Sequence, residues 1–298
     1  MSLVINHNIP ALNVANNLNQ HYSALQTSTR RLSSGLRIGT AADDAAGLAI
    51  RELMRADIAA YKQGIRNAND AISLIQTADG ALQIIDEKLI RMKELAEQAA
   101  TGTYDSTQRL MIESEYQAMA SEITRIANQT NFNNVKLLDG SLTGDHIGGG
   151  INGSLNSTGK LKVHFGPSNN SAEDYYYIEI GSATASSLGL GNQSYVDAGF
   201  AISTQSAAQW ALDAITQAIV SKDKIRAALG ALQNRLENTV SNLTIQAENL
   251  QAAESRISDV DVASEMTEFV RNQILAQAAV SMLAQANSLP RMALNLIG

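Results

Sequence analysis

Apolar residues recur along this chain at intervals of seven. Leu229, Leu236, Leu243, Leu250 and Ile257 form one such column, with Leu232, Thr239, Gln246 and Ala253 as a weaker row between them. Ile58, Ile65 and Ile72 form a second column, beside Tyr61, Ala68, Ile75, Leu82, Leu89 and Ala96. A third run, Ile112, Tyr116, Met119, Ile123 and Ile126, steps by four and three. Apolar positions every 3.5 residues or so put a narrow stripe on a helix, and that stripe has to be buried against another helix. A strict seven-residue repeat drifts off the face of a straight helix, so the pattern predicts coiled-coil packing rather than ordinary surface helices. Breaks between helices are visible at Ala100–Asp105, where Asp105-Ser106 offers an N-cap, and at the Asn-rich stop of residues 128–134.

The period changes in the middle. Residues 160–165 (KLKVHF) alternate, with Leu161, Val163 and Phe165 on one face, and residues 175–180 (YYYIEI) put Tyr176, Ile178 and Ile180 on one face. The turn-rich segment 166–174 joins them, which predicts a β-hairpin with a long loop. Residues 139–159 are rich in Gly, Ser and Asn and read as a surface loop or small insertion.

Both ends carry helix-period apolar residues and very little charge. The first 42 residues contain no Asp or Glu, and neither do the last 30. The stripe at the start includes Ile5, Ile9, Leu12, Leu18, Leu25, Leu32 and Leu36; that at the finish includes Phe269, Ile274, Met282, Leu283, Leu289 and Leu294. Such stripes need a partner, because an isolated amphipathic helix does not repay its ordering entropy. The expected fold is therefore mainly α: a long antiparallel helical coiled-coil bundle with a central β-hairpin, whose terminal helices form a coiled coil on assembly. The expected domains are an inner terminal domain of residues 1–42 and 260–298, disordered in the monomer; a central helical domain of residues 43–138 and 200–259; and a β-hairpin with a Gly-rich loop or rudimentary outer lobe over residues 139–199.

Composition narrows the chemistry. The 298 residues include no cysteine, which excludes disulfides, thiolate metal sites and a cysteine nucleophile. A formal charge of −7 argues against nucleic-acid binding. No run approaches the roughly 18 apolar residues of a membrane span, and no secretory signal is visible. Only 4% of residues are aromatic, which fits thin helical seams better than a bulky core. Residues 148–153 spell GxGxxG but follow no strand and precede no helix, so they lack the context that holds a pyrophosphate. Asp43-Asp44 and Asp259-Val260-Asp261 are better helix caps than cation ligands, with Asp44 serving the helix entered at Ala45 and Asp259 or Asp261 the one entered at Val262. No enzyme, metal or cofactor is expected. A closed cytoplasmic helical scaffold is the alternative, disfavoured by the acid-free apolar ends; an adhesin or enzyme module in the middle has no site constellation.

Two long strings then carry a resemblance. Residues 31–55 (RLSSGLRIGTAADDAAGLAIRELMR) closely resemble the N-terminal signature of bacterial flagellin, and residues 255–298, which contain QILAQAAVSMLAQANSLPRMALNLIG, resemble its C-terminal signature. Residues 128–137 are similar as well. The resemblance implies a structural subunit that polymerises into the flagellar filament for swimming, without enzymatic activity. It implies export in unfolded form by the flagellar type III apparatus with no cleaved signal, and an extracellular location in the filament. The implied partners are further copies of the chain, an export chaperone on the C-terminal helix (residues 265–296), and the cap and hook–filament junction proteins; no nucleic acid and no membrane insertion are implied. With about 60 residues between the two matching parts, the chain resembles a minimal flagellin. The family's Toll-like receptor site is similar to residues 89–98 (LIRMKELAEQ), which implies contacts at Arg91, Lys93, Glu94, Leu95 and Gln98, with Glu115 on the neighbouring helix. Ile90, Glu97 and Met119 depart from that pattern. Leu95, flanked by charges, is expected to be the apolar anchor on an exposed helix face.

Overall fold

The computed structural model describes residues 8–144, 159–170, 173–191 and 201–297, with side chains up to residue 288. Ile5 and the GxGxxG stretch lie outside the described residues, as do the side chains of Leu289 and Leu294. The elements run α1 (Ile9–Ser34), α2 (Ala45–Ala100), α3 (Ser106–Gln129), β1 (Asn131–Phe132), β2 (Val135–Lys136), β3 (Leu161–His164), β4 (Tyr175–Ile178), α4 (Gln205–Ser258) and α5 (Val262–Ile297). The fold is mainly α with a small antiparallel hairpin, as the two periodicities predict.

The chain forms two compact units. One comprises Met1–Ile58 and Glu248–Gly298, the other Ala59–Ala247. The domain limits expected from the sequence, 42/43 and 259/260, fall close to where α2 begins and α4 ends. The compact units divide at 58/59 and 247/248, inside α2 and α4. Both helices run through that division without a cap or breaker, so nothing in the local sequence marks it.

In the second unit, α2, α3 and α4 share one core. Ala68, Ile75, Leu82, Leu89 and Ala96 of α2 are all buried, as are Ile215, Leu229, Leu236 and Leu243 of α4 and Tyr116, Ala120, Ile123 and Ala127 of α3. These are largely the columns read from the sequence. Each buried Leu or Ile contributes on the order of 1.5–3 kcal/mol of transfer free energy. Helices α2 and α4 are antiparallel: Asp79 pairs with Arg226 at 2.7 Å, and Asp86, further along α2, pairs with Lys222, further back on α4. α3 begins behind Asp105, whose backbone N–H donates to Gln108 Oε1 at 3.1 Å, the reciprocal half of a capping box.

The Asn-rich stop turns out to be more than a stop. Asn133 and Asn134 both have positive φ (48° and 67°) and connect β1 to β2. Two left-handed residues in a two-residue loop make the hairpin turn whose twist matches the strands, and Asn tolerates that conformation.

The larger hairpin pairs Val163 with Tyr176 and His164 with Tyr175. Alternation turns Val163, Phe165, Ile178 and Ile180 into the core. The opposite face stacks Lys162 Nζ over the Tyr175 ring at 3.6 Å and Tyr177 edge-on to Tyr175. Both long helices hold this hairpin: Asn67 of α2 donates to the His164 carbonyl at 2.8 Å, and the Arg235 guanidinium of α4 lies 3.5 Å from the Tyr176 ring centre. The backbone comes so close to α2 that a Cβ on Gly64 would sit 2.0 Å from the Phe165 carbonyl oxygen. Gly64→Ala is expected to lower the melting temperature of the chain in calorimetry, through loss of hairpin packing.

One polar group in this core is misplaced. The Tyr116 side chain is 1% exposed, and its hydroxyl has no hydrogen-bond partner. Burial pushes its pKa well above the ordinary phenol range. A buried donor left unpaired costs about 1–3 kcal/mol. Tyr116→Phe is therefore expected to stabilise the protein by about 1 kcal/mol in denaturant unfolding.

Candidate functional site: the terminal helix pair

The chain ends meet in the first unit, where α1 and α5 pack along each other. Helix α1 starts at Asn8, whose Oδ1 accepts from the Ala11 N–H at 3.1 Å; Pro10 fits the first turn, where no amide donor is needed. It stops at Gly35, left-handed at φ 72°, whose N–H donates to the Arg31 carbonyl at 2.8 Å.

Two connectors, one after α1 and one before α5, then clasp each other. The Arg37 N–H donates to the Ser258 carbonyl at 2.6 Å, and the Val260 N–H donates to the Gly35 carbonyl at 3.0 Å. These bonds form a single antiparallel bridge between Leu36 and Asp259. Arg37 Nη2 adds a bond to the Ile257 carbonyl at 2.6 Å. Arg51, itself buried, donates to the Ile38 carbonyl at 2.6 Å and pairs with Glu52. The acids here are caps and clamps, as the sequence suggests. Asp44 accepts from the Gly47 N–H at 2.9 Å, and Asp261 accepts from the Ala263 N–H at 3.0 Å. Asp43 accepts from the Gly39 N–H, from both the N–H and the hydroxyl of Thr40, and from Arg30 Nη2 at 2.7 Å. Among the described residues no cluster of acids and histidines is arranged to hold a metal.

The face that α5 turns to α1 is mixed: two polar residues, three alanines, and the apolar Phe269 and Leu283. Glu265, Phe269, Asn272, Ala276, Ala279, Leu283 and Ala286 are the sheltered positions, stepping by four and three. Three of them form rungs to α1. Ser28 Oγ donates to Glu265 Oε1 at 2.5 Å, with Arg31 3.6 Å from the same carboxylate. His21 Nδ1 lies 3.3 Å from Asn272 Oδ1. Asn8 Nδ2 donates to the Ala286 carbonyl at 2.9 Å.

A row of other large apolar side chains points away. Val262, Met266, Val270, Ile274 and Met282 lie on a single row of every fourth residue, completed by Ala278, and the five large ones are between 43% and 61% exposed. On α1, Ile9, Leu12 and Tyr22 are exposed as well. Among the predicted assembly residues, Leu18, Leu25, Leu32, Leu36, Phe269 and Leu283 are half-buried, while Ile9, Leu12, Ile274 and Met282 are open to solvent. The sequence reading missed the polar rungs. Their signal was present, since Glu265, Asn272, Ala279 and Ala286 are spaced by seven.

The receptor-contact candidates lie in the second unit. Arg91, Lys93, Glu94, Gln98 and Glu115 are exposed. Arg91 pairs with Glu94 at 2.9 Å and with Glu115 at 2.8 Å, and both acids raise its pKa above the ordinary guanidinium value. Gln98 Nε2 donates to the Tyr104 hydroxyl at 3.0 Å. Leu95 corrects the expectation. It is 2% exposed and packed in the core, because it shares the inward face with Leu89, Met92 and Ala96. It therefore offers no apolar anchor on the surface.

Paired terminal helices with an exposed apolar ridge define a mainly helical protein of the coiled-coil class. Residues 5–143 match the bacterial flagellin N-terminal helical region, and residues 212–297 match the bacterial flagellin C-terminal helical region. A flagellin of Halalkalibacterium halodurans is 42% identical over 296 residues, covering 99% of this chain and all of that protein. The flagellar filament 33 kDa core protein of Treponema phagedenis is 39% identical over 298 residues, with 99% and 100% covered. A crystal structure of Bacillus cereus flagellin is 28% identical and aligns with 63% of this chain and 94% of that one, at a TM-score of 0.47. The chain belongs to the flagellin family, and it is a structural protein rather than an enzyme.

The clasp has a titratable element. The Thr40 hydroxyl and N–H, then the Gly39 N–H and the Arg30 charge, hold the Asp43 carboxyl below its ordinary range. A lowered folded-state pKa means that the ionised form favours the ordered connector. That contribution is complete above the ordinary Asp value and is lost as pH falls through the lowered one. Amide exchange at Gly39 and Thr40, corrected for intrinsic rates, is expected to quicken as pH drops below the ordinary carboxylate range. Asp43→Asn is expected to exchange quickly already at neutral pH and to show no such step.

Proposed function

We propose that this chain is the subunit of a flagellar filament and that α1 and α5 form its self-assembly surface. The observation that carries this is the row Val262, Met266, Val270, Ile274 and Met282, which leaves large apolar side chains in water on a helix whose opposite face is already paired. A contiguous exposed apolar surface marks an interaction site. Rows of every fourth residue are ridges that pack into the grooves of another helix. Family membership supplies the partner, further copies of the same chain, and the Treponema relative is named as a filament core protein.

The remaining proposals follow from the family. The chain is exported unfolded through the flagellar type III apparatus to an extracellular filament. A chaperone covers α5 before assembly, over residues 265–296, where the same apolar ridge otherwise invites premature association. The terminal helices order fully only on assembly, next to cap and hook–filament junction proteins at the filament ends. Toll-like receptor binding is proposed at Arg91, Lys93, Glu94, Gln98 and Glu115, supported by their exposure; with Leu95 buried, the exposed apolar residues beside these charges are Ile90 and Met111.

Leu283 faces the α1 side of α5, so a charge there would disturb the helix pair as well as assembly. Ile274 is the cleaner probe. Ile274→Asp is expected to abolish filament formation by electron microscopy of concentrated protein, while the melting transition of the second unit stays where it was. Long filaments from that variant would remove the ridge from the assembly surface.

A further inference from the structure

In the second unit one column of the core is interrupted by charge. Ala208, Ile215, Leu229, Leu236 and Leu243 of α4 are spaced by sevens and buried. Lys222 stands at the same heptad position between Ile215 and Leu229, and it is only 1% exposed. Helix α2 does the matching thing. Its column Ile58, Ile65 and Ile72 continues at the same spacing as Asp79 and Asp86. Lys222 Nζ donates to Asp86 Oδ1 at 2.5 Å and lies 2.8 Å from Asp223. One turn away, Arg226 Nε and Nη2 donate to the two oxygens of Asp79 at 2.7 and 3.2 Å. Isoleucine gives way to aspartate where the facing helix supplies cations.

A heptad seam is self-similar. Sliding α4 along α2 by seven residues, about 10.5 Å, sets apolar residues on apolar residues again, so hydrophobic burial alone barely distinguishes the two alignments. The charges do distinguish them. Sliding one way brings Lys222 level with Asp79, and leaves Asp86 opposite Ile215 and Arg226 opposite Ile72. Sliding the other way brings Arg226 level with Asp86, but sets Lys222 opposite Lys93 and leaves Asp79 without a cation. Either slip strands charges in or beside the core, which is far more costly than the small net gain of the correct pairs.

We infer that Lys222, Asp86, Arg226 and Asp79 are a register lock for the two long helices. They select one alignment at some expense of stability. A polar residue at a seam position is a known way to fix alignment in coiled coils. The alignment matters because both helices grip the larger hairpin, Asn67 from α2 and Arg235 from α4. A slipped α4 moves one grip by two helical turns relative to the other. The lock does not depend on filament formation.

The chain contains no cysteine, so spin labels report the alignment without background. Ser73→Cys on α2 and Gln217→Cys on α4 are exposed and staggered along the bundle. Pulsed dipolar spectroscopy of the labelled full chain is expected to give one narrow distance. The variant Asp79→Ile/Asp86→Ile/Lys222→Leu/Arg226→Leu is expected to keep its helical circular dichroism and an equal or higher denaturation midpoint. It is also expected to gain a second distance, displaced by up to about 10 Å. A single unchanged distance in that variant would overturn the inference. If it does not fold, Lys222→Met/Asp86→Leu, which keeps the Arg226–Asp79 pair, decides by the same readout: a broadened distribution supports the lock, and an unchanged one overturns it.

Discussion

Everything in this chain follows from the need of a narrow apolar stripe for another helix. With few aromatic residues there is no bulky core to fold around, so stability is gathered in rows of Leu, Ile and Ala along helices of 56 and 54 residues. Such rows bury surface efficiently only when a second helix runs alongside. In the second unit that partner is another part of the same chain. In the first, the pairing of α1 with α5 uses a face that mixes polar residues and alanines with Phe269 and Leu283, and leaves Val262, Met266, Val270, Ile274 and Met282 outside. One requirement therefore yields a self-contained bundle in one unit and an unfinished surface in the other.

Polar groups do the selecting. In the first unit the rungs Ser28–Glu265 and His21–Asn272 lie on the side of α5 that meets α1, although α5 carries apolar residues on most of its circumference. In the second unit Lys222 and its acids decide alignment where the apolar rows repeat. At the connectors, backbone hydrogen bonds between Gly35–Arg37 and Ser258–Val260 tie together segments more than 220 residues apart in sequence. Hydrophobic burial supplies free energy without direction, and hydrogen bonds and charge supply the direction.

The proposed assembly surface differs from an enzyme site in the residues that make it. Its residues are ordinary Val, Ile and Met at ordinary helical spacing. Nothing marks them until the paired face is known, because an apolar residue on a helix is usually core. Leu95 shows the reverse error. Flanked by charges, it reads as a surface anchor, but it lies on the inward face of α2 with Leu89, Met92 and Ala96. With neighbours on more than one side, α2 buries a wider stripe than the single heptad column read from the sequence, and Leu95 falls inside it.

The sequence by itself determined the helices, the hairpin of residues 160–165 and 175–180, the caps at Asp44 and Asp105, and the family; it left the cap of α5 open between Asp259 and Asp261, and the structure gives it to Asp261. All of these are written in local periodicity, in turn residues or in long contiguous strings, where the cause and its effect lie within a few positions of each other. Only the tertiary structure decided the division at 58/59 and 247/248, the Leu36–Asp259 clasp, the inward turn of Leu95 and the outward turn of Ile274 and Met282. Each of these depends on which faces of two distant helices meet. That is a property of the pair, decided by the sum of burial and polar matching over both partners, and neither partner's sequence states it alone.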